Sequence, residues 1–198
     1  LLVPILVDIE TDNIYLFNDS EIEIHTFLEE SKAYELYLAL REAKANFFKL
    51  TKNTSAIDTD PNEVIKMYIF KSEENYENLG SMFFNIPTSN GGIYIESAGS
   101  LYTYDRESET LPLDMLLKHE YVHYLDGRYN IHGTYGELEF YDWSTGIYSW
   151  WTEGLANYVA SASGEDGYYI SEYSASWISN NGGNHFNLKE SLRNSYYK

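Results

Sequence analysis

Histidines at 119 and 123, in the run Lys118-His119-Glu120-Tyr121-Val122-His123-Tyr124-Leu125-Asp126-Gly127, place the tightest constraint on this chain. Four residues is close to one turn of α-helix, so the two imidazoles stack on one face and can be offered to a single ion, while Glu120 points toward the adjoining cleft. Two imidazoles do not complete a site. A catalytic zinc takes three protein ligands and keeps a position open for water, and a carboxylate from a second helix can supply the third. The run Trp150-Trp151-Thr152-Glu153-Gly154-Leu155-Ala156-Asn157-Tyr158-Val159 offers Glu153 for that place. Glu153 lies 34 positions after His119 (153 − 119), which lets the first helix end at Gly127, a loop cross, and a second helix return alongside. The plain alternatives are an exposed helix with two surface histidines, and a glutamate favoured only by the helix dipole.

The rest of the chain must build a core that holds two such helices together. Of 198 residues, 43% are hydrophobic and 17% aromatic, with 20 Tyr, so the chain folds as one domain despite a formal net charge of −18. That charge repels phosphate backbones and anionic lipid, which excludes nucleic acid and electrostatic membrane docking. With no cysteine, disulfides, thiol nucleophiles and thiolate metal sites are excluded as well. The apolar stretch 1–7 is broken by Pro4 and has no basic residues ahead of it, so it reads as neither a membrane span nor a signal peptide.

Alternation at 14–17 and 22–27 around Asn18-Asp19-Ser20 predicts two short strands joined by a tight turn. Leu36, Leu38, Leu40, Ala43, Phe47 and Phe48 predict a long amphipathic helix over 29–49, followed by a polar loop over 51–62. A buried strand at 64–70, a helix capped by Ser72 and running to about 84, and strands at 93–96 and 101–104 come next. Helices from Pro112 to Gly127 and over 150–163 complete an α+β order with no internal repeat or linker.

The segments 119–129 and 151–156 together resemble the gluzincin metallopeptidases, and more narrowly the catalytic domain of bacterial collagenases of clostridial and vibrio type. The resemblance reaches upstream to Asn90-Gly91-Gly92-Ile93-Tyr94-Ile95-Glu96 and Tyr102-Thr103-Tyr104-Asp105-Arg106, and more thinly to Phe186-Asn187-Leu188 and Ser195-Tyr196. It implies a gluzincin-type fold with a mixed sheet, a helix bearing His119 and His123, and a second helix bearing Glu153. It further implies zinc on those three residues, acidifying its water toward a pKa of about 7, with Glu120 moving the proton to the leaving amine. Tyr196 takes the place of a phenol that donates to the oxyanion, although Tyr197 or His185 could do the same. Gly91, Gly92 and Tyr94 belong to the edge strand on which an extended substrate would lie. Glu96, with the carbonyls of Gly127, Ile131 and Gly133, matches a calcium position.

Two departures from the family pattern stand out. The acceptor for a zinc-bound imidazole, often a carboxylate four residues beyond the glutamate ligand, is here Asn157, which can accept the bond but adds no charge. Asp126, one turn past His123, could compensate, but reads first as a surface residue at a helix C-terminus, and His25, His132 and His185 read as surface or packing residues. The chain is also shorter than a collagenase catalytic subdomain, which suggests a C-terminally truncated fragment of a larger protein or a reduced relative. The expectation is therefore a secreted, monomeric zinc endopeptidase acting on extended polypeptides such as collagen or gelatin. Its rival is a non-catalytic binding module that keeps the fold, with or without the metal.

Overall fold

In the computed structural model, which describes residues 13–107, 111–131 and 149–162 and positions 176, 179 and 180, the period-two segments pair into one five-stranded mixed sheet. The strands β1 (Asn13–Phe17) and β2 (Ile22–Thr26) form the expected antiparallel hairpin. Its turn carries Asn18, Asp19 and Ser20 at φ of 53°, 54° and 70°, a left-handed run that short polar side chains tolerate best. β2 pairs in parallel with β3 (Ile65–Phe70), which pairs in parallel with β5 (Ser100–Tyr104). β4 (Gly92–Ile95) closes the order β1-β2-β3-β5-β4, antiparallel to β5 and with no strand on its outer side among the described residues. Glu96, expected to end that strand, instead opens a 3-10 turn, Glu96–Ala98.

Parallel strands need a crossover, and α1 (Glu30–Thr51) supplies it between β2 and β3. Ala33, Leu36, Leu40, Ala43 and Phe47 are buried at spacings of three and four, whereas Leu38, expected on that face, is exposed. The face meets Ile24, Met67 and Ile69 of the sheet, and each such side chain taken fully out of water contributes about 1.5–3 kcal/mol. On the opposite face of the sheet, tyrosines form a second, smaller core. Tyr68 stacks on its cross-strand neighbour Tyr102 at 5.2 Å and 9°, Phe84 closes over the pair, and Tyr76 packs beside them on Phe70 and Tyr104.

Those covering residues come from a segment expected to be an ordinary helix. Ser72 caps it, accepting from the Asn75 N–H at 3.2 Å, and α2 (Glu73–Asn75) makes one turn. The backbone then widens into a π-helix, Tyr76–Phe84. The following loop packs onto its Gly80, where a Cβ would stand 3.0 Å from Thr88 and 3.2 Å from Ile86.

α3 (Leu113–Tyr129) packs on the α1 side of the sheet, and α4 (Ser149–Ala160) lies against it. Leu117, Tyr121, Tyr124 and Leu125 point inward, so only a narrow stripe of α3, including His119 and His123, reaches partly into solvent. Asp126 corrects an expectation: it is not a surface residue but 1% exposed. It accepts from Trp151 Nε1 at 3.2 Å and from Asn130 Nδ2 at 2.8 Å, so it ties α4 to the end of α3. Among the described residues no helix is long and apolar enough to cross a membrane.

Candidate metal centre

Helical spacing alone brings His119 and His123 together, with ring centroids 4.9 Å apart and Nε2 atoms 3.2 Å apart. α4 adds the third donor. Glu153 Oε2 lies 3.2 Å from His119 Nε2, and Oε1 lies 3.7 Å from His123 Nε2. Four ligands placed tetrahedrally at the roughly 2.0–2.1 Å typical of zinc stand about 3.3–3.4 Å from one another, so this triangle is the right size for one such ion. Glu120 also comes within 4.8 Å of both imidazoles. It is the poorer third ligand, because its Oε2 accepts the Tyr94 backbone N–H at 2.9 Å while both oxygens of Glu153 face the histidines.

The neighbours of these groups set their charge. Burial pushes the Glu120 carboxyl up to about 7, with His119 and the Tyr94 N–H pulling the other way and Glu153 adding to the rise. Burial and the charge of His119 push His123 down to about 4. For His119, burial is outweighed by the hydrogen bond to Glu153 and the charges of Glu120 and Glu153, so its pKa rises above the ordinary value. For Glu153, burial is outweighed by the same hydrogen bond and by both imidazoles, which hold its carboxyl below the usual range. A neutral His123 and an ionised Glu153 are the protonation states that a divalent ion requires of its ligands.

Next to the metal triangle lies a cavity of about 760 Å³, walled by β4 on one side and by α3 and α4 on the other. Gly92 and Tyr94 line it, and each also has a packing role. The absent Gly92 side chain makes room for Leu116, whose Cδ2 would stand 2.9 Å from a Cβ, so this glycine seats α3 against the strand. Gly91, at φ +76°, faces the Arg106 guanidinium, and its carbonyl accepts from Thr103 Oγ1 at 2.8 Å. The Tyr94 ring is buried edge-on against Tyr124, so this residue offers the cavity mainly its backbone.

Glu96 is brought against Gly127, where a Cβ would stand 2.8 Å from Oε2 and 2.9 Å from Oε1. Asn62 Nδ2 donates to the Glu96 carbonyl at 2.9 Å, and Oε2 has no hydrogen-bond partner among the described residues. Burial first, and the Asp60 charge second, push this carboxyl up to about 7. Ile131 donates its N–H to the Asp126 carbonyl at 2.9 Å. Gly133, Tyr196, Tyr197 and His185 lie outside the described residues. Reasoning from sequence missed the Tyr94 N–H on Glu120, which no residue type announces. It also missed Asn62, although the polar run 51–62 and the Asp60-Pro61-Asn62 turn carried a signal: Asn62 N–H donates to Asp60 Oδ1 at 2.7 Å.

Comparison with known proteins adds an independent line. A family model described as "Peptidase_M9: Collagenase" matches residues 9–198. Collagenase ColA of Clostridium perfringens is 35% identical over 158 residues, covering 77% of this chain and 14% of the relative. Collagenase ColA of Bacillus cereus is 29% identical over 187 residues, covering 92% of this chain and 19% of the relative. The microbial collagenase of Vibrio parahaemolyticus is 32% identical over 143 residues, covering 68% and 16%. The chain thus spans between 14% and 19% of the length of these relatives.

Proposed function

This chain belongs to the Peptidase_M9 collagenase family, and from that premise we propose that it is a zinc-dependent endopeptidase, collagenase- or gelatinase-like, that hydrolyses extended polypeptides outside the cell. The single observation that carries the reading is the convergence of His119 Nε2, His123 Nε2 and the Glu153 carboxylate within 3.2 to 3.7 Å of one another. All three donors come from one chain, so a monomer suffices. Two ligands from one helix and a glutamate from the next is the gluzincin arrangement.

The zinc ion, when held by His119, His123 and Glu153, supplies a Lewis acid that polarises the scissile carbonyl and lowers the pKa of water toward about 7. Glu120 is the group that moves the proton. Its Oε2 is anchored by the Tyr94 N–H, which leaves Oε1 to take a proton from the attacking water and return it to the leaving amine. A carboxyl poised near 7 can do both. β4, with Gly92 and Tyr94, forms the cavity wall along which an extended peptide would lie as an added strand. Gly91 shapes the turn that precedes it. Tyr196 remains the proposed oxyanion donor, with Tyr197 and His185 as alternatives.

Calcium is proposed for the pocket beside Glu96, with the carbonyls of Gly127, Ile131 and Gly133. Its support is an unpartnered buried carboxylate oxygen pressed against Gly127. The rival, a non-catalytic module, would rest in part on Asn157 standing where a carboxylate is usual. That residue lies 3.1 Å from His119 Nδ1, where an imidazole acceptor belongs, and so does not favour the rival.

Digestion of a gelatin-like peptide with and without a zinc chelator tests the reading. Cleavage that the chelator abolishes and added zinc restores is the expected result; a folded, zinc-loaded chain that leaves the peptide intact refutes it.

A further inference from the structure

Asn157 stands where a ligand-supporting residue and a substrate-facing residue would coincide. It is four residues beyond Glu153, so α4 delivers the carboxylate and the amide from one face. Its Oδ1 lies 3.1 Å from His119 Nδ1. For His119 to offer Nε2 to an ion, Nδ1 must carry the proton, and the Asn157 atom that faces it must be the oxygen. Among the described residues the amide nitrogen, with two donors, is then left for another partner. Asn157 is exposed and lines the cavity together with Gly92, Tyr94 and Glu120.

Resting on the reading of this site as a zinc peptidase, we propose that Asn157 works on two sides: its Oδ1 positions His119 for the metal, and its amide N–H groups donate to a main-chain carbonyl of the bound polypeptide. A carboxylate here would hold the imidazole more strongly, because it adds charge to the hydrogen bond. It would also present only acceptors to a peptide carbonyl, itself an acceptor. The amide therefore gives up some metal affinity and gains a substrate contact. Asn157 is a positioning residue toward His119 and a binding residue toward the polypeptide.

The test compares wild type, N157D and N157L for zinc affinity, by competition with a chelating dye, and for KM and kcat on a gelatin-like peptide at saturating zinc. Asn157 is exposed, so both variants are expected to keep the fold, which unfolding curves check independently. N157D is expected to bind zinc about tenfold more tightly and N157L about tenfold or more weakly, the range seen for outer-shell changes. KM is expected to rise about 3- to 10-fold in both, the cost of one hydrogen bond, with kcat moving less. Equal zinc affinity across the three proteins, or an N157D whose KM matches wild type, overturns the inference. A folded wild type that binds no zinc overturns the metal reading beneath it, and that arm is read first.

Discussion

Replacing Glu96 by Gln separates what the buried carboxylate costs the fold from what it could hold. Glu96 is 9% exposed, and burial with Asp60 close by moves its carboxyl from 4.5 up to about 7. A folded-state pKa above the unfolded value means that the native chain binds more protons between those limits. Stability therefore falls as pH rises from about 4.5 to 7, and the penalty is complete above 7. A shift of this size sets a ceiling of about 3–4 kcal/mol at about 1.4 kcal/mol per unit. The carboxylate borders an open cavity, and solvent screening reduces the figure to about 1–2 kcal/mol. The amide keeps the shape and removes the charge, and at this chain length about 1–2 kcal/mol corresponds to a rise in Tm of about 2–8 °C. In chelator at pH 8, Glu96→Gln should melt above wild type by that margin, and at pH 4.5 the two should converge. With millimolar calcium the order should reverse, because only the carboxylate can recruit the ion. A Gln variant that melts below wild type in chelator at pH 8 refutes the charge argument. Calcium that leaves the wild-type Tm unmoved refutes the ligand assignment.

Three other outcomes follow from particular contacts. Gly127→Ala puts a methyl group 2.8 Å from Glu96 Oε2, so any calcium-dependent rise in Tm should shrink or vanish; an undiminished rise would mean that this carboxylate is not the ligand. Trp151→Phe removes the N–H donated to Asp126, and chemical denaturation should show a loss of about 1–3 kcal/mol together with weaker zinc retention, as α4 loosens from α3; unchanged retention would separate the clamp from the metal site. Leu101→Ala, at 0% exposure in the strand flanked on both sides, should cost about 2–5 kcal/mol by urea unfolding, and a cost well under 1 would mean that the core is less tightly packed than described.

The closeness of His119, His123 and Glu153 was legible in the sequence because spacing itself encodes it. Residues four apart on a helix share a face whatever surrounds them, and Glu153 needed only a second helix to return alongside. Strand alternation was legible for the same reason in β1 and β2, and β3 and β5 also fell within a residue or two of their expected bounds. What stayed hidden depends on contacts between segments distant in sequence. Asp126 looks like a surface residue until Trp151 arrives from α4. The close seating of Leu116 of α3 against Gly92 is likewise invisible until the two segments are brought together. The Tyr94 N–H that steadies Glu120 is a backbone donor, and every non-proline residue has one. No residue type in 76–84 announces the π winding that buries Tyr76 and Gly80.

The central claim is that His119, His123 and Glu153 grip one ion, and metal analysis of the dialysed protein tests it most directly. Wild type and Glu120→Gln should each retain about one zinc per chain, while Glu153→Ala, correctly folded, should lose most of it. Zinc retained in full by Glu153→Ala, or a native wild type that carries none after reconstitution, would contradict the account.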